Sequence, residues 1–349
     1  MSSNAREHFG RNEAGIGIAA TGLYIPSGHM DAAEVARASG ISQEVIETRF
    51  GIRRKPRAPA EEHPSFMAIQ AARRCLEEAN QDPARVDLLL WTGSEYKDYC
   101  VWSAGIKVQH ELGCDHAWAM DLAARCSTNI VALKLARDIM RSDPSINTVL
   151  LAGGHRTADL VNYQNQRSRF LFNLSDAGSA ILLKRGQGAE VLETSIITDG
   201  AFSEDVIIPA GGTRNPASVQ TVTGGMHYFD VPDPAGMKER LDRLSMENFV
   251  RVITQAVERS GYVVGDIAYL ALLHMKRSAH DAVLSQLGLP PERSIYLDEY
   301  GHVGAPDQVI SLRLALERGL IKEGDLVVLA SAGIGYTWAA TAVRWETNR

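Results

Sequence analysis

Short apolar runs alternate with stretches of helical period along almost the whole chain, and this alternation restricts the fold more than any other feature. In the first half, strands are expected at 16–25, 86–91 and 118–121, with helical patterns near 31–38, 64–80 and 102–112. Strands near 148–152, 179–183 and 189–194 follow. The second half resumes the theme with a long amphipathic helix near 236–260, a strand at 268–273, helices near 278–287 and 305–318, and closing strands at 326–330 and 337–345. The pattern predicts an α/β protein with a layered sheet, and two similar halves fit it. Segment 201–235 is rich in Gly, Pro, Ser and Thr and has no sustained period, so irregular surface structure that joins the halves and shapes an entrance is expected there.

A chain of 349 residues is too long for one small core, which suggests two domains or one duplicated domain. Net charge is −6 and no run of five like charges occurs, so neither nucleic acid nor a membrane surface is an expected partner. The N-terminal stretch is polar, and no later run approaches the roughly 20 apolar residues that span a bilayer. A soluble, cytoplasmic protein is expected. Four cysteines, Cys75, Cys100, Cys114 and Cys126, do not make a disulfide framework in so long a chain, which fits a reducing compartment.

Residues 121–136 read DLAARCSTNIVALKLA, a polar cluster between a short apolar strand and a helical pattern. Ser127, Thr128 and Asn129 are residue types that satisfy the free N–H groups of a helix's first turn, which puts Cys126 at that helix's positive end. Thiols in such places tend to be acidic and reactive. His274 ends the apolar strand AYLALLH, at the edge where α/β sheets present functional groups. His302 sits in the glycine-bracketed turn EYGHVGAPDQ before a helix. The turn containing Gly333 and Gly335 follows another apolar strand and could aim backbone N–H groups at a developing oxyanion. Each residue alone also has a structural reading: a buried thiol, a hydrogen-bonded strand end, a helix cap. Together they suggest an intracellular α/β enzyme with a Cys/His site.

In this order the motifs resemble the ketoacyl-acyl-carrier-protein synthase III group of the thiolase superfamily over nearly the whole chain. TRFGIRRK (48–55) is similar to the family's Arg-x-Gly-Ile-x-x-Arg segment, MDLAARCSTNIVALKLA to its catalytic strand, cysteine and helix, and FNLSDAGSAILLK to its Phe-Gly-Asp-Gly-Ala-Gly-Ala strand. DGAFSEDVIIPAGG and the closing SAGIGYTWAATAVRW also match. His274 falls on the first residue of His-Gln-Ala-Asn, and His302 on the Asn of Gly-Asn-Thr-Ser. The resemblance implies a thiolase-like fold of two similar halves, 1–185 with the cysteine and 186–349 with the histidines, in a five-layer α-β-α-β-α arrangement and paired as a homodimer. It implies that an acyl group passes from coenzyme A or an acyl-carrier protein to Cys126, followed by condensation with a second thioester. Cys126 and the glycine-loop N–H groups would hold the oxyanion, and His274 would hold the enolate. No fixed cofactor and no metal are implied; coenzyme A or phosphopantetheine serves as carrier.

Departures from the family are as informative. His302 replaces Asn, giving a Cys-His-His set, and Met275-Lys276-Arg277 replaces Gln-Ala-Asn. The adenine-stacking tryptophan falls at Val45, whereas a nearby arginine is kept as Arg49. The aromatic residue that a neighbouring subunit inserts into the acyl pocket falls at Val101. Arg49, Arg53 and Arg54 read as a solvated face or as contacts for phosphates or a carrier protein. The stretch 92–113 resembles hydroxymethylglutaryl-coenzyme A synthase, in which a glutamate at the position of Glu95 is the general acid/base. This opens a non-decarboxylative alternative, against a reading of Glu95 as a helix cap. Acyl transfer to an alcohol or amine, or a non-catalytic partner subunit, are further alternatives. The glycines at 15 and 17 read as part of the first strand rather than a dinucleotide fingerprint, and His110, Cys114 and His116 as surface or core residues.

Overall fold

The computed structural model describes residues 15–346; the polar N-terminal stretch 1–14 lies outside the described residues, as do 347–349. The strands are β1 (Ile16–Tyr24), β2 (His29–Asp31), β3 (Arg54–Pro56), β4 (Leu88–Trp91), β5 (Trp118–Asp121), β6 (Thr148–Arg156), β7 (Asp176–Arg185), β8 (Ala189–Thr198), β9 (Ile267–Leu272), β10 (Leu326–Gly333) and β11 (Thr337–Arg344). β2 and β3 pair apart from the rest, and the remaining strands run in the order β5-β4-β6-β7-β1-β8-β11-β10-β9.

The order contains a repeat. β4 is parallel to β5 and β6, and β7 lies antiparallel between β6 and β1. In the second set β9 is parallel to β10, and β11 lies antiparallel between β10 and β8. The sets are joined edgewise by two residue pairs, Gly17 with Glu190 and Ile18 with Ala189. So short a ladder cannot hold them together, and the packing between them does.

Helices Pro64–Glu78 and Ala104–Leu112 cover the outer face of the first set, helices Pro234–Arg259 and Arg277–Gln286 that of the second, and helices Thr128–Ser142 and Asp307–Glu317 lie between the sets. The result is five layers, α-β-α-β-α. Ile130, Leu133, Ala136 and Met140 share one apolar cluster with Val309, Ile310, Leu312 and Ala315 and with strand residues of both sets. Residues 307 to 312 are all buried because sheet covers that helix on two sides, which is why its 3.6-residue period is faint in the sequence. The N-terminal turns of the two middle helices carry the candidate site.

Several boundaries differ from expectation. β6 continues to Arg156 instead of stopping near 152, which brings His155 to its end. β9 ends at Leu272, leaving His274 in the loop beyond it. The chain from Gln43 to Phe50 forms a helical turn that widens into a π-type turn, and β2 and β3 form a pair; neither has enough period to be read. Segment 201–235 is largely irregular between the helical turn Gly200–Phe202 and the start of helix Pro234–Arg259, with the short helix Val219–Thr223 inside it. Gly17 lies inside β1, and the next element is a strand rather than a helix, so the nucleotide-loop geometry is absent there. Among the described residues no helix is long and apolar enough to cross a membrane, and no group of three or more His, Cys, Asp or Glu side chains is placed to hold a metal.

Candidate active site

The chain leaves β5, turns through Arg125–Ser127 and enters helix Thr128–Ser142. Arg125 adopts φ +53°, an uncommon conformation for a residue with a side chain, and the sharp bend sets Cys126 at the helix start, half-buried. The polar residues after it do not cap the helix as expected. Ser127 Oγ donates to the carbonyl of Thr337 (2.9 Å), Thr128 Oγ1 donates to that of Arg125 (2.6 Å), and Asn129 Nδ2 donates to that of Ala305 (2.7 Å). Tertiary partners take Ser127 and Asn129, which are buried between layers, while Thr128 bonds back within the turn. Ser331 Oγ also donates to the carbonyl of Cys126 (2.8 Å), so β10, β11 and the 305 loop all hold the nucleophile turn.

His302 Nε2 lies 3.1 Å from Cys126 Sγ, and its Nδ1 lies 2.6 Å from Asp307 Oδ2. Asp307 is wholly buried at the first turn of its helix and accepts two further bonds, from the backbone N–H of His274 (2.8 Å) and of Val303 (2.8 Å). Burial alone would lower the His302 pKa, but the charges of Cys126 and Asp307 and the hydrogen bonds to both outweigh it, so the imidazole is held well above its ordinary value. An imidazolium against sulfur is the partner a thiolate needs. Gly304, at φ +105°, lets the turn pass His155: a Cβ there would stand 3.1 Å from His155 Nδ1.

His274 is placed differently. Its Nδ1 is 3.1 Å from Asn173 Nδ2 and its Nε2 is 3.0 Å from the carbonyl of Gly51, so both ring nitrogens bond protein groups and neither bonds sulfur. Asn173 Nδ2 can only donate and the Gly51 carbonyl only accept, which fixes the neutral tautomer with its proton on Nε2. Burial pushes the His274 pKa down to about 4. Of the two histidines, His302 is the one in contact with the sulfur.

Gly333 ends β10 against the nucleophile turn, where a Cβ would stand 3.1 Å from Cys126 N and 2.9 Å from the carbonyl of Ala124. Gly335 lies in the turn beyond, with open space where a side chain would be. Of the two expected oxyanion glycines, Gly333 is the one packed on Cys126. Glu95 does not cap the helix that follows. Asp121 takes that role, accepting from the N–H groups of Ala104 (3.0 Å) and Gly105 (2.8 Å), while Glu95 pairs with Arg125 at 2.7 Å.

Cys126, His302, His274, Asn173, His155, Glu95 and Arg125 line one cavity of about 510 Å³, whose wall is mainly apolar, with Phe170, Phe229, Phe249, Ile208 and Met275 among its residues. The expected substrate contacts lie elsewhere. Arg49 is exposed on the turn Ile46–Phe50. Arg53 pairs with Asp298 (3.7 Å) and Glu299 (3.2 Å) and Arg54 with Glu299 (3.4 Å), so these guanidiniums already face carboxylates. Val101 stands fully exposed at φ +49° on the loop before helix Ala104–Leu112.

Four residues of the site were not found in the sequence. Asp307 lay five residues after His302 at a helix start, where a carboxylate is common enough to pass unnoticed. His155 follows two glycines at a strand's C-terminal end, the same signal that singled out His274. It is buried, its Nε2 has no hydrogen-bond partner, and burial pushes its pKa down to about 4. Asn173 and the fully buried Lys55 left no local signal. Lys55 Nζ donates to the carbonyls of Phe172 (2.7 Å) and Leu174 (2.6 Å), which flank Asn173. The carbonyl of Asn173 in turn accepts from the N–H of His302 (2.8 Å).

Comparison with known proteins gives a consistent result. Residues 120–200 match the family described as 3-oxoacyl-[acyl-carrier-protein] synthase III, and residues 257–345 match its C-terminal part. A β-ketoacyl-[acyl-carrier-protein] synthase III of Symbiobacterium thermophilum is 31% identical over 331 residues, covering 95% of this chain and 98% of the relative. A 3-oxopimeloyl-[acyl-carrier-protein] synthase of Rhodothermus marinus is 30% identical over 337 residues, covering 96% and 94%. The crystal structure of 3-oxoacyl-[acyl-carrier-protein] synthase III from Aquifex aeolicus superposes with a TM-score of 0.82 at 24% identity, covering 95% of this chain and all of that one.

Proposed function

The chain belongs to the 3-oxoacyl-[acyl-carrier-protein] synthase III family of condensing acyltransferases, and from that premise we propose that Cys126 is the residue it acylates. The observation that carries the assignment is the contact of Cys126 Sγ with His302 Nε2 at 3.1 Å, backed by the buried Asp307 and facing the cavity. The thiolate attacks the carbonyl carbon of an acyl thioester carried by coenzyme A or by an acyl-carrier protein. The backbone N–H groups of Cys126 and Gly333 receive the oxyanion, and His302 passes its proton to the departing thiol. The acyl-enzyme then meets a second thioester, the condensing step of the family.

His274 enters that step as a neutral imidazole. To hold an enolate oxygen, its Nε2–H must leave the carbonyl of Gly51, while Asn173 keeps the tautomer fixed. The nucleophile belongs to the half ending at 185 and its base to the half beginning at 186, so the site exists only where the two pack. A cytoplasmic setting suits four unpaired cysteines. Exposed Tyr99, Val101 and Trp118, all in the first half of the chain, suit a homodimer contact that sedimentation would reveal.

Intact-protein mass spectrometry after brief incubation with acyl-coenzyme A and acyl-carrier thioesters tests the assignment. One acyl increment is expected on the wild type and none on Cys126→Ala. An increment that survives in the variant would move the nucleophile elsewhere. Release of carbon dioxide from a malonyl thioester would identify the condensation as decarboxylative.

A further inference from the structure

Decarboxylative attack needs no base, since the carbon nucleophile is released by loss of carbon dioxide. A hydroxyl acceptor does need one, because its proton must leave as the oxygen bonds to carbon. The site holds a complete relay for that proton: His302 Nε2 at the nucleophile's sulfur and His302 Nδ1 on Asp307, which is itself fixed by two backbone N–H groups. The same arrangement of nucleophile, imidazole and buried carboxylate serves acyl transfer to oxygen on unrelated folds. The second imidazole, by contrast, is turned to Gly51 and Asn173, so the resting site offers one ring donor at the sulfur rather than two.

We infer that acyl-Cys126 also passes its acyl group to a hydroxyl-bearing acceptor with an apolar body, with His302 as the base and Asp307 as the residue that positions it. The inference rests on the acyl-Cys126 reading above.

The proton inventory closes. The count starts from a thiolate and an imidazolium, the pair in which the nucleophile attacks. Acylation forms the C–S bond to Cys126, and His302 gives its proton to the leaving thiol. The sulfur no longer carries charge, so one of the two charges that held His302 protonated is gone, and the ring enters the second half as a base. The acceptor oxygen attacks the thioester carbon, and its proton moves to His302 Nε2. The oxyanion rests on the N–H groups of Cys126 and Gly333. Collapse breaks the C–S bond and leaves an ester, a thiolate and the imidazolium, which is the starting state. No oxidant or cofactor enters. The wall of the cavity is mainly apolar, with the Arg125–Glu95 pair, the histidines, Asn173 and Lys276 among its polar members, and suits an acceptor whose body is hydrocarbon.

The test loads the protein with hexanoyl-coenzyme A, removes excess donor, and divides the acyl-enzyme between 1-hexanol and malonyl-coenzyme A. Loss of the adduct is followed by mass spectrometry and hexyl hexanoate by gas chromatography. Hexanol is expected to discharge the adduct with matching ester, about tenfold or more faster than water alone. His302→Asn, which restores the family's usual residue, is expected to lower the ratio of hexanol to malonyl discharge by about 100-fold. Asp307→Asn, loaded in the same way, supplies the same comparison should His302→Asn not fold. An adduct that malonyl-coenzyme A clears but hexanol does not would overturn the inference and leave the acyl-Cys126 reading standing, as would an unchanged ratio in both variants. Failure of the wild type to form any adduct would overturn both.

Discussion

Replacing Asp307 with asparagine removes one negative charge and little volume at the base of the site. Three N–H donors converge on this carboxylate, from His302 Nδ1, His274 N and Val303 N, and the residue has no exposure to water. An amide offers one accepting oxygen and two hydrogens of its own, so at least one donor must then face an N–H group. With its nitrogen in the Oδ2 place the amide faces both His302 Nδ1 and the His274 N–H, and the ring relieves its own share by giving up the Nδ1 proton and accepting from the amide. That choice abolishes the imidazolium. A hydrogen bond to a charged group contributes about 1.5–3 kcal/mol in such burial, and loss of that amount from the transition state corresponds to roughly 10- to 150-fold in rate. The assay is single-turnover acylation of Cys126 by an acyl-coenzyme A, read by mass across the neutral pH range. The ion pair persists only below the His302 pKa, which Asp307 helps to raise, so the alkaline limb of the profile should move to lower pH in the variant. Acylation within about threefold of wild type, with that limb unmoved, would refute the relay.

Other expectations follow from neighbouring residues. Burial pushes Lys55 down to about 7 from 10.5, so between these values the unfolded chain binds a proton that the native one does not, and native stability gains with rising pH. Urea denaturation at neutral and alkaline pH should show the stability of wild type relative to Lys55→Met growing with pH; a gap that is constant or shrinks contradicts the burial argument. Gly333→Ala would drive a Cβ against Ala124 and Cys126 and shift the nucleophile turn at a cost of about 1–3 kcal/mol, seen as slower acylation by stopped-flow; unchanged acylation would remove Gly333 from the oxyanion site. The Glu95–Arg125 pair is largely solvated, with side-chain exposures of 40% and 52%, so Glu95→Gln should change condensation less than about fivefold. A fall of about 100-fold or more would instead make Glu95 the acid/base of a non-decarboxylative reaction.

What the sequence alone settled was local. The strand and helix order could be read because side chains repeat every two or 3.6 residues wherever one face is buried, and Cys126 could be read because a strand, a polar turn and a helix follow one another within a few residues. Ser127 and Asn129 misled because their partners come from β11 and the 305 loop rather than from the adjoining helix turn. Tertiary structure decided which imidazole meets the sulfur. Neither the strand end of His274 nor the glycine turn of His302 says which ring meets the sulfur, but Asn173 and Gly51 claim one ring while Cys126 and Asp307 claim the other. Cys126 and His302 are 176 positions apart, so their contact depends on how two sheets stack across the middle helices. Periodicity records which face of an element is buried; it carries no information about which donor, on which other element, that face will meet.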